Sequence, residues 1–304
     1  MTALTVRVPN WIGDCIMALP ALQALHAAGL ELHCVGRGWA PALLAGTGLA
    51  VTELPRKLRP GACHLRSLPG RDAVLMTHSL SSAAMMRLAG KRALGYARDG
   101  RSLLLSARLP WPHGMHESRR YWRLANTMCQ RLGLPPLATD PPHCELALTA
   151  EARAAGAAAL QTAQADAQAN SQAVVLCPVA TGTVHGVDKH WPHFTALAAH
   201  LVAAGQRPVV VAPPGQRETL AASYPGCAIV GDLAIDVWAG LLAAADTVVA
   251  NDSGPMHVAC AVGTRSVIPF AVTDPAITGA WSPQLVAIRG DGGWPMMDRL
   301  AAAL

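Results

Sequence analysis

Short apolar runs alternate with stretches of helical spacing along nearly the whole chain. "ALTVRV" reads as a strand and is followed by a helix from about Asp14 to Ala28. "ELHCVG" and "DAVLMT" read as further strands, and Glu117–Leu132 has helical spacing. The proline-rich "GLPPLATDPPHCEL" then reads as a loop leaving a first domain. The alanine-rich "TAEARAAGAAALQTAQADAQANSQ" opens the second half as a helix. After it the alternation resumes: "AVVLCPV" (strand), "HFTALAAHLVAAG" (helix ending at Gly205), "RPVVVAPP" (strand), "IDVWAGLLAAAD" (helix), "TVVAND" (strand), "PMHVACAVG" (helix), "RSVIPFA" (strand). Repeated β–α units imply parallel sheets covered by helices. Two such halves predict an α/β protein with Rossmann-like domains at 1–150 and 151–304 facing a central cleft, the last helix free to pack back on the first domain.

Composition narrows the classes. The 304 residues suffice for two domains of ordinary size, and 52% are apolar while 4% are aromatic, so alanine, leucine and valine supply the packing. No apolar run reaches the roughly 18–20 residues of a membrane span. The N-terminus enters a strand at once, unlike a signal peptide. Eight scattered cysteines without a CxxC pair suit reduced thiols better than a disulfide framework or zinc site. The net charge of +5 conceals an asymmetry: residues 1–150 carry 17 Lys/Arg and 8 Asp/Glu, residues 151–304 carry 7 and 11. A basic half attracts nucleic acid, an anionic membrane surface or an acidic substrate, or is simply a solvated surface. Aromatics are not interleaved with these charges, which argues against single-stranded nucleic acid.

Three strand ends carry candidate chemistry. In "VVANDSGPMHVACAVG" the turn Asp252-Ser253-Gly254 precedes a helix with Pro255 at its start. The free N–H groups of such a helix end make an anion site, and Gly254 admits close approach; the bland reading is that Asp252 or Ser253 caps the helix. In "CPVATGTVHGVDKHWPHF" Lys189 stands near a helix start, where the dipole disfavours a cation unless an anion arrives between them, or else is an ordinary solvated lysine. His185, His190 and His193 do not share one helical face, and no fourth metal ligand is evident. In "VRVPNWIGDC" the turn lacks both GxGxxG and GxxxxGK[ST], so it is a poor pyrophosphate site. Asp14 there either caps the helix or, ionised beside the dipole, accepts a proton from an attacking hydroxyl. The chain contains no DxD, so Lys189 and the Gly254 helix end are the available counter-charges for a leaving diphosphate, without an obligatory metal.

"VRVPNWIGDCIMALPALQAL", "CPVA…DKHWPHFTALAAHL" and "NDSGPMHVACAVG", with "THSLSSAAMMRLAGKRALGY…RSLLL" between them, resemble the ADP-heptose:lipopolysaccharide heptosyltransferases of glycosyltransferase family nine, more the enzymes adding the second heptose than those adding the first. The resemblance implies a GT-B fold, acceptor on the first domain, nucleotide sugar on the second, and an inverting transfer with no metal or other cofactor. It implies Asp14 as catalytic base and Lys189 on the donor phosphates. Donor contacts fall on Thr181, Thr183, Asp252, Ser253, Gly254, Met256 and His257, with Glu218 or Gln216 at the ribose. Acceptor contacts fall on Asn10, Gly13, Ser79, Ser82 and Arg101. The implied partners are ADP-heptose, an anionic lipopolysaccharide core and the surface of the inner membrane on its cytoplasmic face, with no nucleic acid. The chain departs from the pattern at Val179 and Ala271, where glycine is usual, at Ser81, where a basic residue is common, and in a longer insert before Lys189. A catalytically silent GT-B protein, a transferase using another sugar donor, and a nucleotide-sugar epimerase remain as alternatives; a NAD-dependent dehydrogenase is remote without the glycine fingerprint.

Overall fold

The structure is a computed structural model that describes residues 2–167, 172–180, 183–184 and 186–304. It divides into two compact units, Met1–Cys144 and Glu145–Leu304.

The first unit holds β1 (Thr2–Arg7), β2 (Leu30–Gly36), β3 (Val51–Glu53), β4 (Asp72–Leu75), β5 (Arg92–Ala97) and β6 (Ala107–Pro110). They form one parallel sheet in the order β3-β2-β1-β4-β5-β6. Its helices are α1 (Ile12–Ala27), α2 (Ala40–Leu43), α3 (Leu58–Ser67), α4 (Leu80–Leu88) and α5 (Glu117–Arg131). β1 is buried from Leu4 to Arg7, polar Thr5 and Arg7 included, because it lies between β2 and β4 in the sheet. α1 and α5 pack together, as do α3 and α4. The latter pair closes over a core that includes Leu65, Leu75, Met85 and Met86.

The second unit holds β7 (Val174–Cys177), the short antiparallel hairpin β8 (Thr183–Val184) and β9 (Val187–Asp188), then β10 (Val209–Ala212), β11 (Ala228–Gly231), β12 (Thr247–Ala250), β13 (Arg265–Phe270) and β14 (Leu285–Arg289). Its helices are α6 (Ala150–Ala163), α7 (Phe194–Ala203), α8 (Arg217–Ser223), α9 (Ile235–Ala244), α10 (Gly254–Ala261), α11 (Pro275–Thr278) and α12 (Met297–Ala301). The main sheet runs β11-β10-β7-β12-β13-β14, all parallel. α12 packs on α7 and β13 of its own unit. α7 ends as its sequence suggests: Gly205 follows at φ +77, the left-handed conformation glycine adopts without strain.

Hairpin aside, both sheets have the same order, third-second-first-fourth-fifth-sixth. This is the doubly wound arrangement, in which the connections leaving the first and fourth strands diverge to opposite faces and open a crevice at the strands' carboxyl ends. In the first unit that point lies beyond β1 and β4, where Asn10–Asp14 and Thr77–Ser79 emerge. In the second it lies beyond β7 and β12, where Pro178 and Asn251–Gly254 emerge.

One helix contact in the second unit is made by backbones alone. A Cβ on Gly156 of α6 would lie 2.1 Å from the Gly240 carbonyl carbon, and one on Gly240 of α9 would lie 2.1 Å from Ala152 O. The packing requirement falls on Ala152 and Gly156, which are buried; the exposed alanines of α6 reflect helix preference. We expect Gly240→Ala to destabilise this unit by about 3 kcal/mol, the upper end of ordinary overpacking, because backbone rather than a flexible side chain must move. Urea unfolding of wild type and variant measures it.

Candidate active site

The strongest geometry lies at the switch point of the second sheet. Asp252 follows β12 and is 3% exposed. Its Oδ2 receives Lys189 Nζ at 3.0 Å and the Thr273 hydroxyl, from the loop after β13. A carboxylate this deep is costly to bury without a cation or donors, and these two supply both. Helix α10 starts at Gly254 with Ser253 in the N-cap position, and neither Ser253 nor Asp252 caps it. The capping explanation of this turn is thereby removed. Ser253 Oγ instead points back to Asn251 O at 3.4 Å.

Asn251 organises the surroundings. Fully buried, it accepts from Trp191 N at 2.8 Å through Oδ1 and donates through Nδ2 to Pro178 O at 2.7 Å. One amide thus ties the ends of β7 and β12 to the segment carrying Lys189. Trp191 is itself fully buried in the main core, and its indole donates to Pro295 O at 2.8 Å. Lys189 sits two residues upstream of that anchor and directly after β9, five residues before α7 begins at Phe194. Lys189 thus lies near the start of α7 but outside its first turn, the buried Trp191 between them is a core anchor, and the anion beside the lysine is the Asp252 carboxylate.

The remaining donor candidates distribute unevenly. Gly254 is half-buried, Met256 fully buried and His257 5% exposed. Gln216 precedes α8 and Glu218 lies in its first turn, both exposed beyond β10. Thr181 lies outside the described residues, and Thr183 is described only as a strand residue paired with Asp188. Val179, in a position where glycine was expected, packs against the core.

In the first unit Asp14 lies in the first turn of α1, whose N-cap is Trp11 with no side-chain bond, so Asp14 is not the cap. Gly13 beside it is buried. The turn before it is held by Arg7, a buried residue at the end of β1. Arg7 donates to Val8 O at 2.7 Å, to Val35 O at 3.2 Å and to Asn10 Oδ1 at 2.5 Å, and burial pushes its pKa down to about 10. Asn10 is thus partly committed to shaping the turn. Ser79 caps α4 by accepting from Ser82 N at 3.3 Å and shares a 2.6 Å contact with the Ser81 hydroxyl. Ser82 is buried. Arg101 is fully buried and clamps the ends of β4 and β5, donating to Thr77 O and, at 2.9 Å, to Tyr96 O; its Nη2 has no hydrogen-bond partner among the described residues.

A group that the sequence did not single out surrounds Trp111. The guanidinium groups of Arg98 and Arg120 each lie 4.3 Å from its ring centroid, and His78 and Tyr96 meet it edge-on at 4.8 and 5.5 Å. Arg120 also bonds Glu117 within α5. Burial, with Arg101, Arg98 and Arg120 adding, pushes His78 down to about 4. Burial pushes Glu117 up to about 7; Arg120 opposes this, and the Asp14 charge adds to it. The available signal was a histidine, a tryptophan and three arginines falling after successive strands, which spacing alone does not bring together.

Two doubly wound sheets, each with a polar turn at its switch point, are the architecture of the GT-B class, and the family then supplies the activity. The family model for glycosyltransferase family 9 (heptosyltransferase) matches residues 64–300, and the chain belongs to that family. No curated protein matches it. Among solved structures, the ADP-heptose lps heptosyltransferase II of E. coli is similar at TM-score 0.76 and 24% identity, covering 96% of this chain and 92% of that one. The E. coli heptosyltransferase WaaC with ADP gives 0.73 and 18%, covering 99% and 98%. The UDP-GlcNAc 2-epimerase from Methanocaldococcus jannaschii gives 0.53 and 10%, covering 99% and 91%. These likenesses show the shared architecture.

Two outcomes follow from this geometry. Asn251→Ala strands the Trp191 N–H and the Pro178 carbonyl, and should cost about 2–4 kcal/mol in urea unfolding. The second outcome concerns pH. Unfolded His78 protonates near 6.5 and folded His78 near 4, so acidification across that interval favours unfolding. Folded Glu117 keeps its proton up to about 7 whereas the unfolded residue releases it near 4.5, so raising the pH across that interval also favours unfolding. Glu117→Gln should therefore gain stability relative to wild type as pH rises from 4.5 to 7, and His78→Gln as pH falls from 6.5 to 4. Urea midpoints across that range give both slopes.

Proposed function

We propose that the chain transfers a heptose from ADP-heptose to the inner core of lipopolysaccharide, with inversion and without a metal ion. The Lys189–Asp252–Thr273 cluster carries this reading. It places a cation that can be exchanged beside a helix N-terminus, at the switch point of a sheet in a family 9 chain. The names of the similar structures support the donor: one is an ADP-heptose lps heptosyltransferase, another holds ADP, and a third, E. coli WaaC, holds ADP-2-deoxy-2-fluoro heptose.

In the proposed step an acceptor hydroxyl gives its proton to the Asp14 carboxylate while its oxygen bonds to the sugar C1. The C1–O bond to the diphosphate breaks on the opposite face, its electron pair leaves with ADP, and the configuration inverts. Lys189 exchanges Asp252 for the departing diphosphate, and the Gly254 and Met256 amides at the start of α10 share that charge. Thr273 keeps a donor on Asp252 throughout. Ser253, His257 and the loop bearing Thr181 and Thr183 complete the donor contacts, with Glu218 or Gln216 at the ribose. Asn10, Gly13, Ser79, Ser82 and the Arg101 clamp shape the acceptor side, whose excess of positive charge suits a phosphorylated, carboxylate-bearing core. Action at the cytoplasmic face of the inner membrane belongs to the same proposal.

The test is ADP release from ADP-heptose with and without heptose-deficient core. Acceptor-dependent release is expected, and Asp14→Asn should lower kcat by roughly 10²–10⁴-fold with donor affinity unchanged. Lys189→Met should weaken both donor binding and turnover. Full activity of the Asp14→Asn variant would remove Asp14 as base, and donor binding without turnover on any truncated core would favour the silent binding protein. Absence of donor binding would replace heptose with another sugar.

A further inference from the structure

Five polar atoms of the first unit are buried with no hydrogen-bond partner among the described residues and belong to one neighbourhood: Thr77 Oγ1, His78 Nδ1, Arg101 Nη2, Glu117 Oε2 and Arg120 Nε. Direct contacts join the residues that carry them. Arg101 donates to the carbonyls of Thr77 and Tyr96, Glu117 bonds Arg120, and the Trp111 ring meets His78, Tyr96 and Arg120. Buried polar atoms are normally paired, so five in one place call for a partner. The floor is closed, with Thr77, Arg101 and Arg120 buried; at the rim Arg98 is exposed and His78 and Trp111 are half-buried.

Charge decides which partner fits. Burial holds His78 towards its neutral form, and Arg101, Arg98 and Arg120 all add to that effect, so three guanidinium groups act on one ring. Arg98 has the exposed Asp99 at 3.4 Å, a pair screened by solvent. Arg101 directs its bonds to carbonyls, which satisfy donors but carry no net charge. A guanidinium this deep is costly to bury without an anion. A sugar hydroxyl would meet the donors and leave the charge, and a cation would be repelled. The paired oxygens of a carboxylate or phosphate meet both, and the planar fork of arginine matches them.

Glu117 is the internal rival. Its Oε1 takes Arg120, while Oε2 has no hydrogen-bond partner among the described residues. The charged and titratable groups around it come from every neighbouring element: Arg120 and Tyr121 on α5, Tyr96 and Arg98 on and after β5, His78 after β4, and Asp14 on α1, which packs against α5. Burial raises the Glu117 pKa to about 7; Arg120 opposes this, Asp14 adds to it and Arg98 opposes it. Below that pH the carboxyl is neutral and Arg120 is left to an outside anion. Above it the carboxylate holds Arg120 for itself. A bound anion and a protonated Glu117 therefore favour each other, and binding takes up a proton.

We propose that Thr77, His78, Arg98, Arg101 and Arg120 form a site for one oxyanion, a carboxylate or a phosphate, and that the Glu117 carboxylate competes with it for Arg120. The site stands without the transfer reading; only the assignment of the oxyanion to the sugar acceptor rests on that reading. Titration calorimetry of the full-length protein with inorganic sulfate tests it, because sulfate does not titrate near neutral pH. Chloride at equal ionic strength controls for screening. Wild type should bind sulfate with proton uptake, and the affinity should fall roughly tenfold from pH 6 to pH 8. Glu117→Gln should bind equally at both pH values. Arg98→Ala, at the exposed rim, should weaken binding several-fold while circular dichroism shows it folded. The His78 ring should gain basicity when sulfate is bound, a shift that nuclear magnetic resonance reads on its carbon-bound protons. Sulfate held no better than chloride, the same pH dependence in Glu117→Gln, or an unchanged affinity in Arg98→Ala would overturn the proposal. Competition of sulfate with heptose-deficient core places the oxyanion on the acceptor; sulfate binding that leaves the acceptor KM unchanged assigns the site to a free anion. Sulfate bound as expected by a protein that turns over no core would refute the transfer reading and leave the oxyanion site standing.

Discussion

A carboxylate shut away from water must be met by positive charge or by donors, and Asp252 imposes that demand on its whole unit. Lys189 arrives on the segment after a two-stranded hairpin and Thr273 arrives from the loop after β13; both converge on the same oxygen. The segment bearing Lys189 is fixed by Trp191, whose backbone and indole are bonded to Asn251 and Pro295. Remote parts of the chain, from Pro178 to Pro295, therefore register on a point a few ångströms across. The ion pair also gives Lys189 an internal counter-charge within its own unit.

The first unit solves a different problem. Its switch point gathers arginines around one tryptophan ring, and the charge is spread over stacked planes rather than concentrated in a pair. Burial, reinforced by the crowded cations, pushes His78 towards its neutral form, while burial raises the pKa of the neighbouring Glu117 in spite of Arg120. The Asp14 turn beside them is shaped by Arg7, a charge placed at the end of a buried strand and satisfied mainly by backbone carbonyls. Polar residues buried in this way shape turns more than they add stability.

Much of this was legible in the sequence because the signals were local. Strand-turn-helix punctuation located Asp14, Lys189 and Asp252, and the β–α rhythm led to parallel sheets. The strands β3, β6, β11 and β14 lie at the edges of the two sheets and are only partly buried, so they lack the continuous apolar run that marked the central strands. Lys189 was legible as standing near a helix start; only the buried indole reveals the anchor between them. Asn251 stood inside a quoted motif and passed unnoticed, since its function lies in two backbone partners, one 60 and the other 73 residues away. The Trp111 stack and the roles of Thr273 and Arg7 likewise depend on contacts that topology creates.

The crossing of α6 and α9 bears on how this chain can change over time. Where side chains meet, a bulky substitution on one helix is often relieved by a smaller one on the other. Gly156 and Gly240 already present nothing but backbone, one against Gly240 and the other against Ala152. No smaller residue exists for a neighbour to become. A lineage that loses either glycine has reversion as its direct repair, so these two positions are expected to stay fixed while the surface around them drifts.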